Sequence, residues 1–218
     1  MLKVRSTKTP PKPNSPGAGG CVFVQDPDDA AASHEPALWL PEIAPATLIL
    51  APAPEGFDSN ILIDPVLSEG LSTDRQYGAD RYIILTDPQG DHTIWLRGAD
   101  AERRPSIILP LDAAFDLRAA MMWRFYRRLR GRPAGPLPRI LQLTPLRRVR
   151  LILLLHALDF RLAGAGLRDI AAALIDARGA TLPAIEWKSS AARRKATRLV
   201  KDSLALMNGG YRKLLRGG

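Results

Sequence analysis

The sequence predicts an α+β chain: a small, mostly antiparallel β-rich N-terminal part, then a helical bundle of helix-turn-helix type. Three observations carry that prediction. Between Cys21 and Pro110, short apolar runs are cut by Pro, Gly and Asp, the pattern of strands and tight turns. From Asp112 onward the apolar residues recur at helical spacing. The two halves also differ in charge. Residues 1–116 hold 9 Lys+Arg and 17 Asp+Glu, a net −8, and residues 117–218 hold 22 and 5, a net +17.

The elements follow in order. Residues 1–20, rich in Pro, Gly and basic side chains, form a disordered tail. Residues 21–131 form the β-rich part. "ALWL" at 37–40 and "TLILAP" at 47–52 read as strands. "RYIILT" and "HTIWLRG" flank "DPQGD", where Pro88 and Gly90 suit a tight turn, so they read as a hairpin. "SIILPL" at 106–111 is a further strand. A long helix, 112–130, closes this part, with Asp112 as its cap and Gly131 as its stop. Leu117, Met121, Phe125 and Leu129 mark its buried side, and Arg124, Arg127, Arg128 and Arg130 occupy the rest. This part is a candidate surface for oligomerisation or for a partner.

A Pro- and Gly-rich loop, 131–138, separates it from residues 139–218, the expected helical domain. Thr144 and Pro145 make a helix start, a capping residue followed by proline in the first turn. That helix runs to Leu162, and its leucine-rich middle, Leu151 to Leu158, predicts the central buried helix of the bundle. Ala163 to Gly166 is the turn. A second helix follows from Leu167 to Ala177, with Leu167, Ile170, Ala171, Leu174 and Ile175 inward. "RGATLPAIEW" breaks the pattern. Ser189 or Ser190 then caps a third helix ending at Asn208, with Gly209-Gly210 as its stop and "YRKLL" as one more turn.

Apolar residues make up 46% and charged residues 24%, the balance of a chain with a packed core. No run approaches the ~18 apolar residues of a membrane span, and no secretory signal opens the sequence, so the expected location is the cytoplasm and no membrane partner is expected. The single cysteine, Cys21, forms no internal disulfide, and no metal-ligand spacing is present. No nucleophile elbow, phosphate loop or paired-carboxylate motif is present, which points away from an enzyme and from any cofactor. His156 reads as a buried or boundary histidine, and His34 and His92 have no visible partner. Trp187 reads as a core plug, Tyr211 as packing for the C-terminal turn, and Asp159 and Asp169 as partners for nearby arginines.

The third helix carries the functional reading. With Arg194 at zero on a helical wheel, Arg198 falls near about 40° and Lys201 near about 340°. Leu199, Ala192, Ser203, Ala196, Met207 and Val200 cluster on the opposite side. One face holds the bundle and the other presents a basic row, with Arg193 and Lys195 beside it, as in a recognition helix. Lys188, Ser189 and Ser190 stand at its start. Arg147, Arg148 and Arg150 lie at the positive end of the first helix, where basic residues oppose the dipole by ~0.3–1 kcal/mol each and a bound phosphate would reverse the sign. With Arg168 they are candidate phosphate contacts. The expected partner is double-stranded DNA.

"LDFRLAGAGLRDIAAAL" and "LMNGGYRKLL", with "PALWLPEIAPATLILAPAP", "LPLDAAFDLRAAMMWRFYRRLRG", "LTPLRRVRLILLLHA" and the "EW" before the serines, resemble the RovC-like DNA-binding domain of proteobacterial regulators. The resemblance runs from about Glu35 to Arg216. It implies a bacterial transcription regulator whose C-terminal helices bind DNA, with relatives encoded beside type VI secretion loci or on integrative conjugative elements. Residues 19–29, "GGCVFVQDPDD", resemble the end of a segment that precedes this domain in longer relatives. The chain is therefore also a candidate piece of a split regulator, with a separately encoded N-terminal segment, another regulator or a homo-oligomer as partner. The alternative function is an antiactivator or adaptor that binds another regulator rather than DNA.

Overall fold

The computed structural model describes residues 20–22, 36–57, 63, 66–67, 69–98 and 100–218. The expected tail at 1–19, most of the "GGCVFVQDPDD" phrase and His34 lie outside the described residues. The chain divides into two compact units, residues up to 141 with 215–218, and residues 142–214.

The first unit is built on a hairpin. Strands β3 (Asp80–Leu85) and β4 (His92–Leu96) pair antiparallel around the expected turn. Strand β1 (Leu48–Pro52) lies parallel to β4, and β5 (Pro105–Ile108) pairs antiparallel with β1. Strand β2 (Leu71–Tyr77) joins the other edge, giving the order β2-β3-β4-β1-β5. The period-two alternation gives each face its own apolar set. Leu48, Leu50, Ile83, Leu85, Ile94 and Leu96 pack with Leu117, Met121 and Phe125 of helix α1 (Phe115–Leu129). Tyr82 and Ile84 pack with Val22, Leu38 and Leu40 on the other face, where the rings of Tyr82 and Trp95 stack at 5.7 Å.

Three expectations change here. "ALWL" is not a strand: Trp39 makes one antiparallel bridge with Cys21. Its leucines instead close the second sheet face, held by Val22 N–H to the Leu38 carbonyl at 2.7 Å and Leu40 N–H to the Gly20 carbonyl at 2.9 Å. Asp112 does not cap α1 directly. It accepts the Ala114 N–H at 3.0 Å and the Arg118 guanidinium at 2.8 Å, one turn ahead of the helix. The third change is Arg124, expected outside and buried at 5% exposure. Its Nε donates to the Gly135 carbonyl at 2.9 Å, and its Nη2 to the carbonyls of Gln89 at 3.1 Å and Gly90 at 2.9 Å. Burial of main-chain carbonyls demands donors, and a long guanidinium supplies several at once. Arg118 is buried too, donating to the Pro41 carbonyl at 3.0 Å.

The second unit is helical. Helix α2 (Pro145–Leu162) starts at Thr144, whose hydroxyl accepts the Arg147 N–H at 3.2 Å. Gly164, at φ +87°, turns the chain toward α3 (Leu167–Leu174), a conformation that costs other residues roughly 1 kcal/mol. The Asp169 carboxylate, expected to pair with an arginine, accepts the Gly166 N–H at 3.0 Å and closes the first turn. The expected interruption contains two short helices, α4 (Ala177–Ala180) and α5 (Ala184–Ser189). Asp176 starts α4 by accepting the Arg178 N–H at 3.0 Å. Helix α6 (Ala191–Ala205) follows at once, capped by Ser190, whose hydroxyl accepts the Arg193 N–H at 3.1 Å. A wide turn, Leu206–Gly210, leads to α7 (Tyr211–Leu215).

The core of this unit is Ala157, Ile170, Ala171, Ala180, Trp187, Ala192, Ala196 and Val200. Trp187 is the plug the sequence suggests. Helix α2 is not wrapped on all sides, since only Leu154 and Ala157 are buried along it while Leu155 is 60% exposed. Helices α3 and α6 pack against α2, and α3, at eight residues, covers less than half the length of this eighteen-residue helix. His156 is exposed rather than buried. Met207, placed with the core on the helical wheel, sits in the wide turn and is 44% exposed. The unit ends before the expected domain does: Arg139–Leu141 and the last four residues belong to the sheet unit, where Arg216 donates to the Glu42 carbonyl at 3.0 Å.

Candidate nucleic-acid interface

The boundary between the units divides the charge differently from a division at residue 116. Residues 142–214 hold 14 Lys+Arg and 5 Asp+Glu, a net +9, which is the formal charge of the whole chain. The sheet unit is left with 17 of each and no net charge. The arginines of α1 belong to that neutral unit, and several of them hold carbonyls.

Helix α6 is positioned by its buried side. Ala192, Ala196, Val200 and Ser203 are buried, and Leu199 packs partly against the same core. Small residues there let α4 and α6 approach closely. A methyl group on Gly179 would lie 2.9 Å from the Ala192 Cβ and 2.8 Å from Asp176 Oδ2, so this contact requires glycine. The outer face then carries Arg194, Lys195, Thr197, Arg198 and Lys201, all exposed, with Arg193 half-buried beside them.

The individual side chains differ in their engagement. Arg193 Nη1 donates to the Lys188 carbonyl at 2.9 Å, and Arg194 Nη1 donates to the Ser189 carbonyl. These carbonyls end α5, and the last carbonyls of a helix lack partners of their own. Both arginines therefore cap one helix while standing in the first turn of the next. Their unfavourable place at the positive end of α6 is offset by this contact with the negative end of α5. Ser189 closes α5 through its hydroxyl, which donates to the Glu186 carbonyl at 3.1 Å. Lys195, Arg198 and Lys201 have no hydrogen-bond or ion-pair partner among the described residues.

Lys188, Arg193, Arg194, Thr197 and Arg198 line an open concavity of about 500 Å³ with no carboxylate in its wall. Arg198 also borders a second concavity of about 410 Å³ between α2, α3 and α6, with Lys195, Arg150 and Asp202. Arg150 Nη2 pairs there with Asp202 at 2.6 Å. Arg168 stacks over Trp187 at 5.1 Å and is half-buried, a packing role the sequence gives no sign of. Arg147 is half-buried and Arg148 exposed near the start of α2. The structure thus gathers Lys188, Ser189, Ser190, Arg193, Arg194 and Arg198 at the α5–α6 bend, and Arg150 meets this group through the second concavity. No helix among the described residues is long and apolar enough to cross a membrane. No group of His, Cys, Asp and Glu among those residues could hold a metal ion.

Comparison with known families separates the chain into two stretches. Residues 46–107, most of the sheet, match a domain of unknown function, DUF7012. Residues 108–216, half of the chain, match the RovC DNA-binding domain family, described as "T6SS, Transcription factor, DNA binding domain". The second match is narrower than the resemblance from Glu35, because the "PALWLPEIAPATLILAPAP" stretch lies outside it. It also crosses the boundary between the units, since it takes in α1. No characterised protein matches the chain. With half of its length matched and its basic face lying inside that match, the chain belongs to the RovC DNA-binding domain family of transcription factors.

Proposed function

We propose that the chain binds double-stranded DNA through the outer face of α6 and regulates transcription of a secretion or mobile-element transfer locus. The observation that carries this reading is the row Arg194, Arg198 and Lys201, flanked by Arg193 and Lys195. It is exposed, the concavity beside Arg194 and Arg198 at the bend has no carboxylate in its wall, and the row lies in the unit that holds the whole net charge. Helix α3 supports α6 as the first helix of a helix-turn-helix does, with α4 and α5 replacing the tight turn. Arg147, Arg148 and Arg150 add phosphate contacts along α2. Binding of this kind weakens steeply with salt because condensed counterions are released. The test is Arg194→Glu with Arg198→Glu: duplex binding in a gel shift is expected to vanish while the circular dichroism spectrum stays unchanged. Retained binding in the double variant removes α6 as the reader.

A second reading has its own observation. Phe115, Trp123 and Tyr126 stand exposed on the outer side of α1, at 37%, 58% and 36%, with the last two rings stacked at 5.5 Å. Exposed Trp and Tyr beside arginine is the composition of an interaction hot spot. An adaptor or oligomer using this face would show concentration-dependent, salt-tolerant association that Trp123→Ser abolishes, and no duplex affinity.

A further inference from the structure

We infer that α6 divides DNA contact between two groups: Arg193 and Arg194, with Lys188, hold a backbone phosphate at the α5–α6 bend, and Arg198, one turn on, reads a guanine in the major groove. This rests on the DNA-binding reading of the same face.

The division follows from what each guanidinium is already doing. Arg193 and Arg194 each commit one Nη to a main-chain carbonyl of α5. A carbonyl is neutral, so both positive charges remain uncompensated. What the contact removes is freedom, since each head group is held at the mouth of the concavity together with exposed Lys188. Two held guanidiniums beside a lysine suit a phosphodiester, which accepts from many directions and is the same at every base pair. Reading a guanine demands something different, an unobstructed two-donor edge aligned with O6 and N7. Arg198 meets that condition. It is exposed, all its donors are unengaged among the described residues, and it borders both concavities. Lys201 and Lys195 are equally unengaged, but an ammonium is a point charge and discriminates less by geometry.

The test uses the full chain and two probes, a random-sequence duplex pool and a short duplex enriched from that pool by the wild-type protein. Binding is followed by fluorescence anisotropy across a salt series. Glutamine keeps an N–H for the α5 carbonyls while removing the charge. Arg193→Gln with Arg194→Gln is therefore expected to weaken both probes by the same factor and to lower the log–log salt slope by roughly one or more. Arg198→Gln is expected to cut the preference for the enriched duplex over the pool by about tenfold or more, with only a small loss on the pool. Arg198→Lys is expected to lose that preference too, although its charge is kept. Circular dichroism confirms the fold of each variant. If the Arg193/Arg194 variant alters preference while Arg198→Gln weakens both probes alike, the division is overturned and the DNA-binding reading stands. A wild-type chain that binds all duplexes equally overturns the base-reading half. Binding to neither probe at any salt overturns the DNA-binding reading itself.

Discussion

Helices α1 and α6 are both fifteen residues long, amphipathic and rich in arginine, yet they use the residue in opposite ways. In α1 the guanidiniums of Arg118 and Arg124 turn inward, and Arg128 lies over the sheet edge, donating to the Thr86 carbonyl at 2.7 Å. In α6 the buried side is alanine, valine and serine, and the basic side chains stand outside. The difference lies in what each helix covers. Helix α1 lies on a sheet whose neighbouring loops leave carbonyls at Gln89, Gly90 and Gly135 needing donors. The core under α6 is apolar, and the carbonyls that Arg193 and Arg194 serve lie at the end of α5, outside that core. A count of arginines therefore says little about where a polyanion binds until their partners are known. Here the sheet unit balances to zero and the helical unit keeps the charge.

That contrast can be broken most sharply at Arg124. Arg124→Ala leaves three carbonyls without their donor and is expected to cost about 4 kcal/mol of unfolding free energy by urea titration. Duplex affinity of the folded fraction should stay unchanged. A loss of binding without a loss of stability would place α1 at the DNA instead.

His92 gives the next largest effect. It is fully buried against Phe125, at a centroid distance of 5.6 Å. Burial, and then the positive charge of Arg124, push its pKa down to about 4 from 6.5. Below pH 6.5 the unfolded chain takes up a proton that the folded chain refuses, so stability falls from there and the loss is complete below about pH 4. The full loss is about 3 kcal/mol. Neither ring nitrogen has a hydrogen-bond partner among the described residues, so His92→Leu removes no hydrogen bond seen there and should flatten the stability profile between those pH values. A variant as acid-sensitive as the wild type would show that His92 is not the titrating group.

On the α6 side, Gly179→Ala sharpens the comparison without touching a charge. It forces a methyl group against Ala192 and should destabilise the helical unit by about 2 kcal/mol. Duplex affinity should fall with it if the α4–α6 contact sets the position of the basic face, and thermal melts beside anisotropy separate the two effects.

Legibility in the sequence followed the physics of each signal. The start of α2 at Thr144-Pro145, a serine cap for α6 at Ser189 or Ser190 and the β3–β4 hairpin are all readable, because each depends on a few local residues. Strand β2 was not, since "LSTDRQY" is an exposed edge strand whose pattern never alternates. Helices α4 and α5 were hidden by their length, four and six residues, too short for a period to show. The basic face of α6 was legible as a stripe, but the α5 carbonyls that hold Arg193 and Arg194 were not. The inward turn of Arg124 was equally hidden, because the carbonyls it serves lie eleven to thirty-five residues away in sequence.

The crossing of the family boundary and the unit boundary constrains how such regulators can recombine. A genetic crossover at residue 108 would join a foreign N-terminal half directly to α1. Met121 and Phe125 would then need a new apolar sheet, and Arg124 new carbonyls, before the graft could fold. A crossover at residue 142 parts the units everywhere except at the last four residues, which belong to the sheet unit, and leaves the charged helices whole. Exchanges that preserve function should therefore fall near the second position, inside the stretch that sequence comparison treats as one piece.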